Sequence, residues 1–155
     1  MSEEQLLVRR IKEGTVIDHI DAGMALLVLK ALDITGKEGN TVTVAMNVPS
    51  MKLGKKDIIK IENRSLTSYE TDEIALIAPH ATINIISEYK IREKWRVELP
   101  DELIGIFDCP NSMCVSNNDR HVRPRIRTLD KDKRVFICAY CARVIEASEL
   151  ISSLE

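Results

Sequence analysis

The sequence has 155 residues, of which 45% are apolar and 30% are charged, and its formal net charge is −2; this composition is typical of one globular domain or two small ones. Acidic and basic residues balance in both halves of the chain, and only 4% of the residues are aromatic. Because the sequence also has no run of about 18 apolar residues, it argues against a polyanionic partner, a base-stacking surface and a membrane span.

The first hundred residues alternate between strand and helix patterns. Residues 1–9 are polar, and we expect them to be loosely held. Apolar residues at every second position predict five strands, at Thr15–Ile20, Thr41–Val48, Asp57–Asn63, Ala81–Tyr89 and Ile91–Val97. Residues Pro49–Gly54 are predicted to form a loop between the second and third strands.

A first helix is predicted from Ala22 to Ile34, with Asp21 as its N-cap and Gly36 near its end. Further apolar residues surround the predicted stripe, so we expect this helix to contact more than its own sheet. The stripe itself comprises Ala22, Ala25, Leu26, Leu29 and Leu32.

A second helix is predicted to begin at Thr67, because Thr67 and Glu70 have the spacing of a capping box. It extends to Ala78, and Pro79 ends it. The resulting order, β-α-β-β-α-β with an added strand, is that of a ferredoxin-like fold. The sequence therefore predicts an α+β protein with an antiparallel sheet and two helices on one face.

Alternation along the strands places two sets of side chains on opposite faces of this sheet. The positions predicted to face the helices are Ile17, Ile59, Ile61, Ile83 and Ile85. Asp18, Lys60 and Asn84 then point away from the helices, among apolar neighbours. Such a surface fits a small polar ligand with a flat apolar part, although a solvated sheet face is the alternative. His19 has the opposite parity, so this pattern does not assign it a role.

All four cysteines lie in the last third of the chain, as Cys109-Pro-Asn-Ser-Met-Cys114 and Cys138-Ala-Tyr-Cys141. Each pair is spaced for a tight turn that can direct two thiolates at one point. Two such turns predict a closed four-cysteine zinc site, with one structural ion per chain. Four protein ligands leave no open position for catalysis.

Other interpretations of these cysteines are weaker. The chain begins MSEEQLLVRR, without an apolar signal region, so disulfides are not expected. A redox pair at Cys138 and Cys141 would leave Cys109 and Cys114 unexplained. Four buried free thiols would not require paired turns.

A domain boundary is predicted near Val97, where Glu98-Leu-Pro-Asp101 interrupts the alternating pattern. We expect a ferredoxin-like domain over 1–98 and a small all-β zinc domain, of the zinc-ribbon or rubredoxin-like kind, over 99–155. A part of about 55 residues is marginal by its core alone, so bound metal would supply much of its folding free energy.

A basic insert, Arg120–Arg127 with Lys131, Lys133 and Arg134, separates the two cysteine pairs. It could be a solvated hairpin, a contact for another protein or a nucleic-acid patch. Scarce aromatic residues and a net acidic chain make nucleic acid the least favoured of the three.

Several motifs, in order along the chain, resemble the regulatory chain of aspartate carbamoyltransferase. They are Gly14–Ile20, Asn47–Ser50, Gly54–Asn63, Ala78–Asn84 and the two cysteine pairs. The resemblance implies a cytoplasmic, non-catalytic subunit of an enzyme of pyrimidine biosynthesis. It also implies an N-terminal allosteric domain that binds nucleoside triphosphates (CTP, ATP and possibly UTP) and a zinc domain that docks on the catalytic chain. Dimers of regulatory chains would bridge two catalytic trimers, with no nucleic-acid or membrane partner.

The same resemblance assigns a nucleotide site. The residues around the base would be Ile11, Val16, Asp18, Lys60, Tyr89 and Ile91, and those around the ribose and phosphates would be His19, Asn84 and Lys94, with Ile86 nearby. Arg9 and Arg10 depart from the family pattern beside this site, so nucleotide preference is expected to differ here.

Three other functional classes differ in how well they fit the sequence. A nucleic-acid-binding zinc-ribbon protein and a free-standing sensor of a small ligand such as an amino acid are the alternatives. An enzyme is the hardest to support, because His19, His80 and His121 are dispersed and the sequence shows no nucleophile-base pair and no phosphate-binding glycine loop.

Overall fold

The structure is a computed structural model that describes Arg10–Leu154. The expectations for residues 1–9, including the one for Arg9, lie outside the described residues. The chain separates into two compact units, Met1–Val97 and Glu98–Glu155. Across Arg10–Leu154, none of the helices is long and apolar enough to span a membrane.

The first unit contains a five-stranded antiparallel sheet with the strand order β2-β3-β1-β4-β5. This order confirms the predicted ferredoxin-like arrangement, with β5 as the added strand. The strands are β1 Gly14–Asp21, β2 Val42–Ser50, β3 Gly54–Glu62, β4 Thr82–Ser87 and β5 Lys90–Arg96, and the helices are α1 Ala25–Ala31 and α2 Ser68–Ile77.

The core of this unit lies on one face of the sheet. Ile17 in β1 is opposite Ile59 in β3 on one side and Ile83 in β4 on the other, and all three side chains are fully buried. Ile61 is buried as well, whereas Ile85 is only half-buried. Alternation along the strands therefore predicts the core side of the sheet correctly over its centre.

Helix α2 begins as its sequence predicts. The Thr67 hydroxyl accepts a hydrogen bond from the Glu70 N–H at 3.1 Å, and the Glu70 carboxylate accepts one from the Thr67 N–H at 3.1 Å. This reciprocal pair satisfies two of the N–H groups that a helix start leaves open. The helix ends at Ile77, and Pro79 follows its C-cap residue, Ala78.

Helix α1 is shorter than predicted. It begins at Ala25 rather than Ala22, and Asp21 is the last residue of β1 rather than an N-cap. The N–H groups of Gly23 and Ala25 instead donate to the carboxylate of Asp57, at 2.9 Å and 3.0 Å. Because Asp57 lies 32 positions after Ala25, no local sequence pattern marks it as the capping residue.

The apolar stripe predicted for this helix is also wrong in part. The buried side chains are Ala25, Val28 and Leu32, which are spaced by three and four residues as one helix face requires. Ala22 precedes the helix and is exposed, and Leu26 is 62% exposed. Leu29, from the predicted stripe, is half-buried.

The predicted loop between the second and third strands is a tighter turn. Strand β2 continues to Ser50 and β3 begins at Gly54, so that only residues 51–53 lie outside the strands. The pairing of β2 with β3 shifts register between Ala45 and Val48. The Asn47 N–H in this bulge donates to Asp57 at 2.9 Å.

Glu73 on α2 should make stability depend on pH. It is 8% exposed, and burial, with smaller contributions from Glu70 and Asp33, raises its pKa from 4.5 to about 7. The folded state therefore holds a proton that the unfolded state releases between these pH values, and stability falls as pH rises through that window. At pH 8, Glu73→Gln should stabilise the chain by about 1–2 kcal/mol, less than the full shift implies, because the carboxyl borders water.

Urea denaturation of the wild type and Glu73→Gln at pH 4 and pH 8 measures this difference. At pH 4 both side chains are neutral, so the two free energies of unfolding should be close to each other. A stabilisation of the same size at both pH values would contradict this explanation.

The second unit is a four-stranded antiparallel sheet with the strand order β6-β7-β8-β9. Its small core is formed by Leu103, Phe107, Ile126, Phe136, Ile145 and Leu150. The predicted β architecture is confirmed, with two short helices that the sequence analysis does not predict. The elements are β6 Glu102–Ile104, α3 Val115–Asn118, β7 Arg125–Asp130, β8 Val135–Cys138, β9 Val144–Glu146 and α4 Ala147–Ser152.

The basic insert includes β7 and the turn that joins it to β8. Arg125 and Arg127 are exposed, and both lie near the Glu102 carboxylate, at 3.1 Å and 3.7 Å. Lys131 pairs with Asp101 at 3.1 Å. Acidic residues before and in β6 therefore neutralise part of the insert's positive charge.

Candidate functional site

A cavity of about 490 Å³ lies on the sheet face opposite the core. The strand register explains its composition, because Val16 is directly opposite Lys60 in β3 and Asn84 in β4, and Asn84 is opposite Lys94 in β5. These four side chains form a row across four strands. The structure brings nine of the ten residues of the predicted site to this cavity: Ile11, Val16, Asp18, Lys60, Asn84, Ile86, Tyr89, Ile91 and Lys94.

The cavity combines apolar walls with positive charge. Its apolar side chains can contact a ring, and the ammonium groups of Lys60 and Lys94 can pair with anionic groups. Loss of hydration lowers the pKa of Lys60, Asp18 opposes this change, and Arg10 adds to it. Asn84 is 5% exposed, and its amide donates to the Val16 carbonyl at 3.3 Å.

Asp18 is already engaged within the cavity. Its carboxylate pairs with the Lys56 ammonium at 2.9 Å and accepts a hydrogen bond from the His19 N–H at 2.6 Å. Lys56 also lines the cavity. A negatively charged ligand would therefore compete with the Asp18 carboxylate for the Lys56 ammonium.

His19 is not among the residues that line the cavity. It has a φ of 55° and lies where β1 shifts register between Ile17 and Ile20. This bulge explains how Ile17 and Ile20, three positions apart, are both fully buried. The His19 ring lies 3.1 Å from the Thr82 hydroxyl.

The pKa of His19 responds to two of the lysines that line the cavity, Lys56 and Lys94. Burial lowers the pKa of its imidazole, and Lys56, Lys52 and Lys94 lower it further, against the opposing effect of Asp18. The ring is therefore within reach of the lysine charges that line or adjoin the cavity.

The cavity also contains residues that the site prediction omits. Lys56 and Ile58 have the same parity as Lys60 on β3, so alternation along that strand would have placed both on this face. Val48 and Pro49 follow the bulge in β2, which the sequence pattern does not reveal. Arg10, named as a departure from the family pattern, lines the cavity too.

The four cysteines converge in the second unit. All four sulfur atoms lie within 4.8 Å of one another, and the Cys109–Cys141 and Cys114–Cys138 sulfur distances are both 3.7 Å. Thiolates at about 2.3 Å from a tetrahedral zinc ion lie about 3.8 Å apart, so the cluster fits such an ion. The same distances exclude disulfide bonds, and all four cysteines are free.

Two asparagines that the sequence analysis does not single out hold the first cysteine turn. The side-chain amide of Asn117 donates to the carbonyls of Cys109 and Asn111, at 2.8 Å and 2.7 Å. The amide of Asn118 donates to the Cys114 carbonyl at 2.8 Å. The helix that contains them, α3, begins directly after Cys114. This position is the only sequence signal that the two asparagines support the cysteine turn.

The thiols of the cluster are not equivalent. Burial raises the pKa of Cys109 to about 12. The backbone N–H of Arg143 donates a hydrogen bond to the sulfur of Cys141 and lowers the pKa of that thiol to about 7. A bound divalent cation stabilises all four as thiolates, because its charge offsets theirs.

Comparison with known proteins gives matches over both units. A family model described as aspartate carbamoyltransferase regulatory chain, allosteric domain, matches residues 6–98. A second model, described as the metal binding domain of the same chain, matches residues 101–151.

Curated relatives named aspartate carbamoyltransferase regulatory chain resemble the sequence over nearly its full length. The protein of Thermofilum pendens is 53% identical, with 98% of this chain and 96% of the relative covered. The protein of Nitrosopumilus maritimus is 51% identical, with 97% and 98% covered. The protein of Thermococcus gammatolerans is also 51% identical, with 97% and 99% covered.

Proposed function

The chain belongs to the family of aspartate carbamoyltransferase regulatory chains, and we propose that its basic cavity binds nucleoside triphosphates, CTP and ATP, as allosteric effectors of that enzyme. Regulatory chains are non-catalytic subunits, so the chemistry of carbamoyl transfer belongs to a partner chain. The reaction that this subunit would control belongs to pyrimidine biosynthesis.

The row of Lys60, Val16, Asn84 and Lys94 across the sheet carries this proposal. Its apolar member and the neighbouring isoleucines offer a surface for the base. In this proposal Lys60 would donate to a pyrimidine carbonyl, and backbone groups near Ile11 and Tyr89 would recognise the exocyclic amine.

The triphosphate is assigned to the basic end of the cavity, with Lys94, Asn84 and His19. Lys56 joins them, since a phosphate can replace Asp18 as its partner. UTP carries the same triphosphate and would share this part of the site.

Replacing Lys60 with alanine should weaken CTP binding roughly 10- to 100-fold, the effect of losing one hydrogen bond to a charged group. The side chain is half-buried on the sheet face opposite the core, so the fold should persist. Isothermal titration of the wild type and the Lys60→Ala variant measures the effect.

Lys37→Ala is the matched control, because Lys37 is exposed in the loop after α1 and its loss changes net charge equally. Its affinity for CTP should equal that of the wild type. Unchanged affinity in Lys60→Ala would remove Lys60 from the site.

Two domains with separate roles are part of the proposal. Residues 1–98 would form the allosteric domain, and residues 99–155 the domain that contacts the catalytic chain. A nucleotide shifts such an assembly only by binding one quaternary state more tightly than another, typically with a coupling of about 1–3 kcal/mol. Regulatory chains would pair as homodimers, and the exposed Leu26 of α1 is available to such a contact.

Zinc is the ion that we assign to the four-cysteine cluster. Soft thiolate ligands in a tetrahedral set favour zinc over magnesium or calcium. The ion would have a structural role, holding the turns that present the surface of this domain to the catalytic chain. Free cysteines at this density also fit the reducing environment of the cytoplasm, where we place the protein.

A nucleic-acid-binding zinc ribbon and a free-standing sensor each explain only part of the structure. A relative of about the same length, named as a regulatory chain, matches 97% of this chain. Membership of that family accounts for both the cavity and the cysteine cluster. A nucleic-acid-binding ribbon would leave the cavity unexplained, and a free-standing sensor would leave the cluster unexplained.

A further inference from the structure

Arg10 adds a positive charge to the basic cavity that the predicted nucleotide site does not include. The residue is exposed, and it lines the cavity. Of the described residues that line the cavity, four are cationic and one, Asp18, is acidic. A ligand of this cavity therefore meets a guanidinium in addition to the lysine ammonium groups.

The backbone directly after Arg10 is attached to two strands of the sheet. The Lys12 carbonyl accepts a hydrogen bond from the Tyr89 N–H at 3.1 Å, in the turn between β4 and β5. The Glu13 carbonyl accepts one from the Asn63 N–H at 3.0 Å, just after the end of β3. The side chain of Arg10 therefore starts from a fixed point beside the cavity.

The cations of the cavity form two groups. Lys56 lies four residues before Lys60 on β3, so their backbones are about 13 Å apart along the strand. Lys94 lies three strands from Lys60, which separates that pair by about 14 Å across the sheet. Burial is the main cause of the lowered pKa of Lys60, and the charge of Arg10 lowers it further. Lys60 and Arg10 therefore form a second basic group, apart from the cations assigned to the triphosphate.

The chemistry of this second group favours some bases over others. Ammonium and guanidinium groups have donors and no acceptor, and the nearby Asp18 carboxylate is engaged by Lys56 at 2.9 Å. A carbonyl oxygen of a base accepts from these donors, whereas an amino group would oppose them. The planar guanidinium also matches two neighbouring acceptors. Guanine presents such a pair, O6 and N7, whereas adenine presents N7 beside an amino group.

We propose that Arg10 is a specificity-determining residue that, together with Lys60, makes the cavity prefer guanine nucleotides to adenine nucleotides. The guanidinium donates to O6 and N7 of the base, and the ammonium of Lys60 supplies a further donor to O6. The exocyclic amine that backbone groups near Ile11 and Tyr89 recognise is then the 2-amino group. This inference rests on the proposed function, because it requires a nucleoside triphosphate in the basic cavity.

Isothermal titration of the full chain with GTP, 7-deaza-GTP and ATP tests the role of Arg10. The wild type should bind GTP about tenfold more tightly than ATP, and 7-deaza-GTP, which lacks the N7 acceptor, several-fold more weakly than GTP. Arg10→Ala should weaken GTP binding about tenfold and leave ATP binding within about twofold, so that the preference disappears. Arg10→Lys keeps the charge without the planar fork, and it should lose most of the preference as well.

Lys37→Ala is the matched control, since it removes one exposed positive charge and should keep the preference for GTP. Because Arg10 is exposed too, its variants should fold as the wild type does. Equal affinity of the wild type for GTP and ATP, an undiminished preference in Arg10→Ala, or equal weakening of both nucleotides would overturn the role of Arg10 and leave the proposed function in place. Absence of binding by all three nucleotides would overturn both.

Discussion

Replacing Cys138 with serine is expected to abolish metal binding and to separate the chain from its catalytic partner. Cys138 is 1% exposed, and its sulfur lies 3.7 Å from that of Cys114. A hydroxyl is a poor ligand for the proposed zinc ion. Because metal binding in small domains supplies about 10–16 kcal/mol of apparent free energy, its loss should unfold the second unit.

Metal analysis of the purified protein should give one zinc per wild-type chain and none per Cys138→Ser chain. Gel filtration with the catalytic chain should show a complex for the wild type alone. Ser112→Ala, an exposed change in the turn between the first two cysteines, is the control and should behave as the wild type.

The first unit should be unaffected, since none of its described residues, from Arg10 onward, belongs to the metal site. CTP titration of Cys138→Ser should therefore give the wild-type affinity. Removing the metal from the wild type with a mercurial and a chelator should give the same separation. An intact complex without metal would refute the structural role of the ion.

Replacing Asp57 with alanine is expected to destabilise the first unit by about 3–5 kcal/mol, because three N–H groups lose their common acceptor. The Asp57 carboxylate is fully buried and accepts from Gly23, Ala25 and Asn47 at 2.9–3.0 Å. It thereby connects β3 to the start of α1 and to the bulge in β2.

Asp57→Asn separates the contribution of charge from that of shape. The amide keeps one acceptor oxygen, so about half of the destabilisation should remain. Urea denaturation gives both values, and Asp33→Ala, an exposed change, should cost less than about 0.5 kcal/mol. A loss below about 1 kcal/mol in Asp57→Ala would show that water or other groups satisfy the three N–H groups.

The same change should reach the nucleotide site. Val48 and Pro49 follow the bulge that Asp57 holds, and both line the basic cavity. Weaker CTP binding should therefore accompany the loss of stability in Asp57→Ala.

Features with local causes were predictable from the sequence. The spacing of the four cysteines indicates their convergence, and the capping box at Thr67 depends on residues three positions apart. Alternation along β1, β3 and β4 separates the core face from the cavity face because side chains alternate strictly in a regular strand.

Features with distant causes were not predictable in the same way. The start of α1 depends on Asp57, which is remote in sequence, and the bulges at His19 and Asn47 interrupt the alternation on which the site prediction rests. Alternation along β3 could have placed Lys56 on the cavity face. Its ion pair with Asp18 was not predictable, because it depends on the register between β1 and β3.

The shortness of α1 has a consequence for the order in which the chain acquires its structure. Isolated helices of fewer than about 12–15 residues do not persist in water, and α1 has seven residues. Its first turn depends on an acceptor that arrives with β3. During synthesis, Ala25–Ala31 therefore leave the ribosome before the segment that allows them to become helical, and α1 consolidates only after that strand has docked.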